Sequence, residues 1–358
     1  MQRSVTIWIP KSDDLVDTIV QYNSACNDCL KWGFGNKTYN KSKIHKATYE
    51  DIRTRYPDLQ SSLVCAARDQ AADMLKREKL KRFPKKKTFS GIRYNARTIS
   101  VSADGSKVSL STIAGRYRFD LNIPKYFQKY GTGKLCAATM SCQNDKIKLV
   151  LNFEFNPIQK CENSKVLGID RGIINPVVTS DNGFFNSKKL RSVKGRYQYQ
   201  RRKLQQKGTR SAKRRLKQIS QKETRFVTDM NHCISKQIAD SDFGIFVLEK
   251  LEIKRSKKVG KKFNRKLGNW SFAQFSKLLE YKAEDRGKIV IYIDPRYTSQ
   301  KCSVCGNTEK SNRKGSKFIC KKCQFSLNAD LNAARNIAQL GISQMSRLLV
   351  NQPTVASC

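Results

Sequence analysis

Two Cys-x2-Cys pairs, Cys302/Cys305 and Cys320/Cys323, stand close together near the C-terminal end of the chain. This is the spacing of a tetrahedral thiolate zinc site, in which each pair turns a tight knuckle and the metal closes the two together. A chain stapled in this way cannot run through residues 302–323 as one helix or one strand; it must double back into a small zinc ribbon. Just beyond it, Asn328-Ala-Asp330-Leu-Asn-Ala-Ala-Arg-Asn-Ile337 reads as a helix with one acid in its first turn. Four thiolates saturate zinc and leave no open position for catalysis, so the ribbon reads as a support for Asp330.

The remaining cysteines are scattered among 358 residues, as in a reducing interior rather than a disulfide framework. Cys26 and Cys29 share a helical pattern with no second pair, which makes them packed residues. Lys and Arg number 71 against 29 acids, a net charge of +42 spread along the whole chain. A field of that size fits a polyanion, whose neutralised phosphates release counterions. An anionic membrane surface is the weaker reading. No apolar run approaches the ~20 residues of a membrane-spanning helix, and the N-terminus is too strand-like for a signal peptide. A cytoplasmic, nucleoid-associated protein of a prokaryote is expected.

The hydrophobic period divides the chain. Residues 3–9 alternate as a strand, and helical spacing follows at 12–32, from about Thr48 to Arg55, and at 59–79. Period two then governs 88–160, with hairpin turns at Asp104-Gly105 and Asn144-Asp145. The simplest organisation is a β domain, a small β-barrel or meander (1–10 and 84–160), with a helical insertion (11–83). After Cys161, three short strands are expected at 166–170, 175–180 and 183–185. Residues 186–225 hold sixteen Lys/Arg and one acid, Glu223. Their apolar stripe predicts two helices hinged at Lys207-Gly-Thr-Arg210, with a basic outer face suited to tracking phosphates. A further helix is expected at Thr224–Ala239, a buried strand ending at Glu249, a lysine-rich loop at 250–269, a helix opening at Trp270 and a buried strand at Lys288–Ile293.

Three acids then fall in a telling order: Asp170 ends the first of these strands, Glu249 ends a buried strand, and Asp330 opens the last helix. This is the arrangement of a ribonuclease H-like α/β fold, where two neighbouring strands and a crossing helix bring carboxylates to one edge. Such a site holds two Mg²⁺ ions (Mn²⁺ is an alternative) about 4 Å apart, one activating water and one stabilising the leaving oxygen of a phosphodiester. Glu252, past its strand end, and Asp294, before Pro295 in a turn, are the nearest competitors. His45 and His232 are the only histidines, and neither has a partner pattern for acid–base work.

The residues Gly168-Ile-Asp170-Arg-Gly172, Val247-Leu-Glu249-Lys-Leu251, Tyr281-Lys-Ala, Tyr297-Thr-Ser-Gln-Lys-Cys302-Ser-Val-Cys305-Gly306 and Asn328 to Ile337 together resemble the TnpB family. These are RNA-guided nucleases of insertion sequences, related to type V CRISPR effectors. The likeness covers the C-terminal half, while the N-terminal half matches in layout. It implies an α+β multidomain chain: a wedge-like barrel with its recognition insertion, a RuvC-like nuclease domain (161–301 and 324–350), a zinc ribbon (302–323) and a tail (351–358). It implies Asp170, Glu249 and Asp330 as catalytic carboxylates holding Mg²⁺, and Cys302, Cys305, Cys320 and Cys323 as zinc ligands. The partners implied are a guide RNA and target double-stranded DNA, with a short target-adjacent motif read by the protein and a monomer favoured. A guide-directed repressor that does not cut and a miniature type V CRISPR effector are the alternatives. One departure stands out: Gln324 occupies a knuckle position where the family usually has glycine.

Overall fold

The computed structural model describes residues 1–102, 105–123, 125–130, 133–143, 145–156, 158–172, 175–251, 260 and 272–350. Asp104, Asn144, Glu252, most of the 250–269 loop, Trp270 and the 351–358 tail lie outside the described residues. The chain divides into two compact units, Met1–Pro157 and Ile158–Cys358, and is an α+β multidomain protein.

In the first unit, β1 (Gln2–Pro10) pairs antiparallel along its whole length with β7 (Lys146–Glu154). Strand β7 pairs with β6 (Lys134–Gln143), and β6 pairs with β2 (Ile92–Asn95), giving the order β1-β7-β6-β2. A second sheet is the meander β3 (Ile99–Val101), β4 (Lys107–Thr112) and β5 (Gly115–Asp120). Between β1 and β2 stand α1 (Asp13–Gly35), α2 (Lys41–Arg55) and α3 (Ser61–Arg77). Helices and sheets share one apolar core, in which Leu15, Ile19 and Leu63 meet Val5, Met140 and Leu151. Helix α2 begins earlier than its apolar spacing predicts. Asn40 caps it by accepting from Lys43 N at 3.1 Å, and its polar first turn carries only Ile44 inward.

The second unit is a three-layer sandwich. Its sheet has the order β10-β9-β8-β11-β12, formed by β8 (Val166–Asp170), β9 (Val177–Thr179), β10 (Phe184–Phe185), β11 (Ile245–Glu249) and β12 (Ile289–Ile293). Strand β9 runs antiparallel to both β8 and β10, and β11 lies parallel to both β8 and β12. Helices α4 (Lys188–Lys207) and α5 (Arg210–Ala239) follow the hinge read at 207–210. Gly208 supplies the left-handed turn there with φ +65°. The separate helix expected at 224–239 is instead the second half of α5, because no helix breaker separates Ser220 from Thr224. Helix α6 (Phe272–Glu284) packs beside α5. Ile234, Ile238, Phe275 and Leu279 of these two helices cover Leu167, Ile169, Phe246 and Leu248. Helix α7 (Ala329–Val350) covers the opposite face, with Ile337 against Ile245, Val247 and Ile293. Strands β13 (Arg313–Lys314), β14 (Lys317–Ile319) and β15 (Ser326–Asn328) form a three-stranded antiparallel ribbon that leads directly into α7.

Candidate active site and metal centre

The two-residue period of a strand decides which face each acid occupies. Leu167, Ile169, Phe246 and Leu248 face α5 and α6. Asp170 and Glu249 have the opposite parity and share the α7 face with Gly168 and Val247. In the parallel register Ile169 pairs with Leu248, so Asp170 and Glu249 are next-door residues at the ends of adjacent strands. Gly168 lets α7 approach: a Cβ there would lie 2.1 Å from the carbonyl oxygen of Ala334. Helix α7 therefore rests on β8 backbone to backbone. Asn328 caps the helix, its Oδ1 accepting from Asp330 N at 2.9 Å and Leu331 N at 3.2 Å. That cap sets Asp330 in the first turn, near the other two acids.

The electrostatics follow from this crowding. Burial first, then the charges of Glu249 and Asp330, push the Asp170 carboxyl up to about 7. Burial also raises Glu249, opposed by a hydrogen bond from Thr298 and by the charges of Arg171 and Arg313. Three carboxylates in one low-dielectric corner are a donor set that a divalent cation would relieve. Among the described residues, the four cysteines alone gather their ligand atoms within 4.8 Å of one another.

The four thiols meet the test for zinc. Cys302 Sγ lies 3.8 Å from Cys323 Sγ, and Cys305 Sγ lies 3.5 Å from Cys320 Sγ. A tetrahedron with metal–sulfur bonds of about 2.3 Å has edges of about 3.8 Å. Phe318 and Ala329 pack against Cys302 and Cys320, and Asn312 accepts from Lys321 N while donating to Gln300 O. The knuckles are also stitched to α7. Asn332 donates to Lys301 O and accepts from Ser303 N, Asn336 donates to Thr298 O, and Gln339 donates to Ser303 O.

Residues 148–260 match the OrfB_IS605 family, described as "Probable transposase", and residues 272–337 match the Cas12f1-like TNB domain. A TnpB-like protein of Aquifex aeolicus is 35% identical over 116 residues, 31% of this chain and 38% of that protein. The C-terminal half of the chain is thus similar to proteins named TnpB-like. InsQ of Escherichia coli K12, described as "Putative RNA-guided DNA endonuclease InsQ", is 25% identical over 83% of this chain and 79% of its own. The CRISPR-associated endodeoxyribonuclease Cas12f1 of Sulfoacidibacillus thermotolerans is 39% identical over 34% of this chain. The aligned stretch spans 29% of that nuclease.

Four further residues touch the acids. Arg171, 6% exposed, donates to the carbonyl oxygen of Glu249 and to Ser276 Oγ, tying the ends of β8 and β11 to α6. Thr298 Oγ1 donates to Glu249 Oε1 at 2.5 Å. Asn175 Nδ2 donates to Asp330 Oδ2 at 3.1 Å, and Arg313 of the ribbon donates to Asp330 Oδ1 at 2.9 Å. Of these, Arg171 and Thr298 adjoin recognisable motifs; Asn175 and Arg313 carry no sequence signal. His232 lies on α5 against α6, with Lys282 Nζ donating to its carbonyl oxygen at 2.6 Å. Asp294 accepts from Arg296 N within its own turn at 2.9 Å.

Proposed function

We propose that this chain is a transposon-associated, RNA-guided DNA endonuclease that hydrolyses phosphodiesters in a ribonuclease H-like (RuvC) site. The observation that carries the reading is the meeting of Asp170, Glu249 and Asp330 on the α7 face at the ends of β8 and β11. The sheet order β10-β9-β8-β11-β12 supports the fold assignment, and the names of InsQ and Cas12f1 support the activity. Magnesium or manganese ions held by Asp170, Glu249 and Asp330 would activate water and stabilise the leaving oxygen. The protein's own contribution is to orient these carboxylates: Thr298 and Arg171 fix Glu249, while Asn175 and Arg313 fix Asp330. Zinc on Cys302, Cys305, Cys320 and Cys323 would hold the ribbon that delivers Arg313.

The same reading assigns a wedge-like barrel to 1–10 and 84–160 and a recognition insertion to 11–83. The nuclease domain is 161–301 with 324–350, the ribbon 302–323, and the tail 351–358. A guide RNA and target DNA are the partners of a monomer. The basic helices α4 and α5 suit phosphate tracking. Helix α4 buries none of its residues, and Tyr199 lies exposed beneath the cations of Arg202 and Lys203. No described helix is long and apolar enough to cross a membrane. The test is to sequence the RNA that co-purifies with the chain and supply a DNA matched to it with Mg²⁺. Cutting that Asp170→Ala abolishes supports the reading. Binding without cutting makes the chain a guide-directed repressor.

A further inference from the structure

Tyr297 adopts a backbone conformation that tyrosine ordinarily avoids. Its φ is +62°, and it is the single aromatic among the described non-glycine residues with positive φ. Glycine serves such a turn at no steric cost, whereas a side chain there is strained. The ring belongs to none of the apolar clusters and is 64% exposed, so packing does not compensate.

The surroundings leave the backbone no alternative. The carbonyl oxygen of Tyr297 accepts from Gln300 N and Lys301 N, each at 2.9 Å. Asp294 Oδ1 holds Arg296 N at 2.9 Å on the preceding side. On the following side, Thr298 gives its hydroxyl to Glu249 and its carbonyl oxygen to Asn336. A strained, exposed aromatic is thus clamped one residue from a ligand-holding contact of the acid site. Strain over-determined by its surroundings in this way clusters at active sites and ligand clamps.

We infer that Tyr297 is a stacking platform for an unpaired base of the DNA strand entering the acid site. This inference rests on the nuclease reading. A rigid turn that exposes a flat ring, one residue from Thr298 and its bond to Glu249, offers a π-face to any base, whatever its identity. A base held there would fix the adjoining phosphodiester against Asp170, Glu249 and Asp330. Tyr297 is then a substrate-positioning residue.

The experiment uses the full-length ribonucleoprotein, its co-purified RNA and a matched DNA target, comparing the unmodified chain with Tyr297→Phe and Tyr297→Gly. Phe keeps the ring; Gly removes it and relaxes the turn. The expected result is that Tyr297→Phe cuts like the unmodified chain, while Tyr297→Gly loses on the order of 10-fold in cleavage rate with an unchanged or higher Tm. A second arm places single abasic sites along the cut strand. One position near the cut should slow the unmodified chain by a similar factor and leave Tyr297→Gly unaffected. Unmodified and Tyr297→Gly chains that cut equally fast overturn the inference, as does a Tyr297→Phe chain as slow as Tyr297→Gly. No cutting by the unmodified chain overturns the nuclease reading itself, and this inference with it.

Discussion

Arg313 donates a hydrogen bond of 2.9 Å to Asp330 Oδ1, joining a side chain between the two cysteine pairs to an acid on the following helix. The contact is only partly exposed to solvent, so a charge-assisted bond there is stronger than a surface ion pair. Replacing Arg313 by Gln keeps an N–H donor but removes the charge. Zinc content should be unchanged, and cleavage of matched DNA should fall about 10- to 100-fold, since small misplacements of an acid are costly in rate. Equal rates would assign Arg313 to ribbon folding alone.

The ribbon should carry its own metal. We expect about one zinc per chain by metal analysis, lost when Cys302 and Cys320 are both changed to Ser. Because Asn332, Asn336 and Gln339 bind the knuckles to α7, that variant should also lower Tm and stop cleavage, and added Mg²⁺ should not restore it. A zinc-free unmodified chain of full stability would refute the assignment.

Gln324 has a positive φ of +58°, the geometry for which the glycine usual in the family is suited. A left-handed residue with a Cβ costs roughly 1–2 kcal/mol, and glycine gives back about 0.5–1 kcal/mol through the unfolded chain. Gln324→Gly should therefore stabilise the zinc-loaded protein by about 0.5–1 kcal/mol, a Tm rise of roughly 1–4 °C for a unit of this size. A fall in Tm would show that the Gln324 side chain contributes more than the turn costs.

Asp170 links stability to pH. Its folded pKa is raised from the usual 3.8 to about 7 by burial and by Glu249 and Asp330. Between those values the folded state binds more protons than the unfolded, so stability falls as pH rises through that window. The penalty is complete above about 7. In magnesium-free buffer without chelator, Asp170→Asn should raise stability at pH 8 by upwards of about 1 kcal/mol and change little near pH 4. Added Mg²⁺ should stabilise the unmodified chain more than the variant. Melting curves at the two pH values check both statements, and a variant less stable at pH 8 would contradict them.

The parts of this protein that could be read from sequence are those where local pattern and tertiary role coincide. Asp170 and Glu249 end short apolar runs, and Asp330 opens a helix after a metal knuckle, so each acid is marked by its own neighbours. The α2 start at Lys41 was hidden because that helix buries only Ile44, Thr48 and Ile52, too sparse a stripe to extend the pattern upstream. The continuity of α5 was hidden by its changing surroundings: Ala212 and Ile219 form its buried stripe at one end, and Ile234 and Ile238 pack on the sheet at the other. Arg313 is one of 71 basic residues, and nothing local distinguishes it. Its role exists only once the ribbon folds back onto α7.

The bare Gly168 contact has a consequence for how such a protein can change over time. Where side chains separate two elements, drift in one is absorbed by drift in the other. Between β8 and α7 the Ala338 methyl is the one side chain close to Gly168, so few exchanges of residues can retune the separation of Asp170 from Asp330. Lineages descending from this sequence can rework the loops, the basic helices and the first unit, yet they inherit that distance unaltered or lose it altogether.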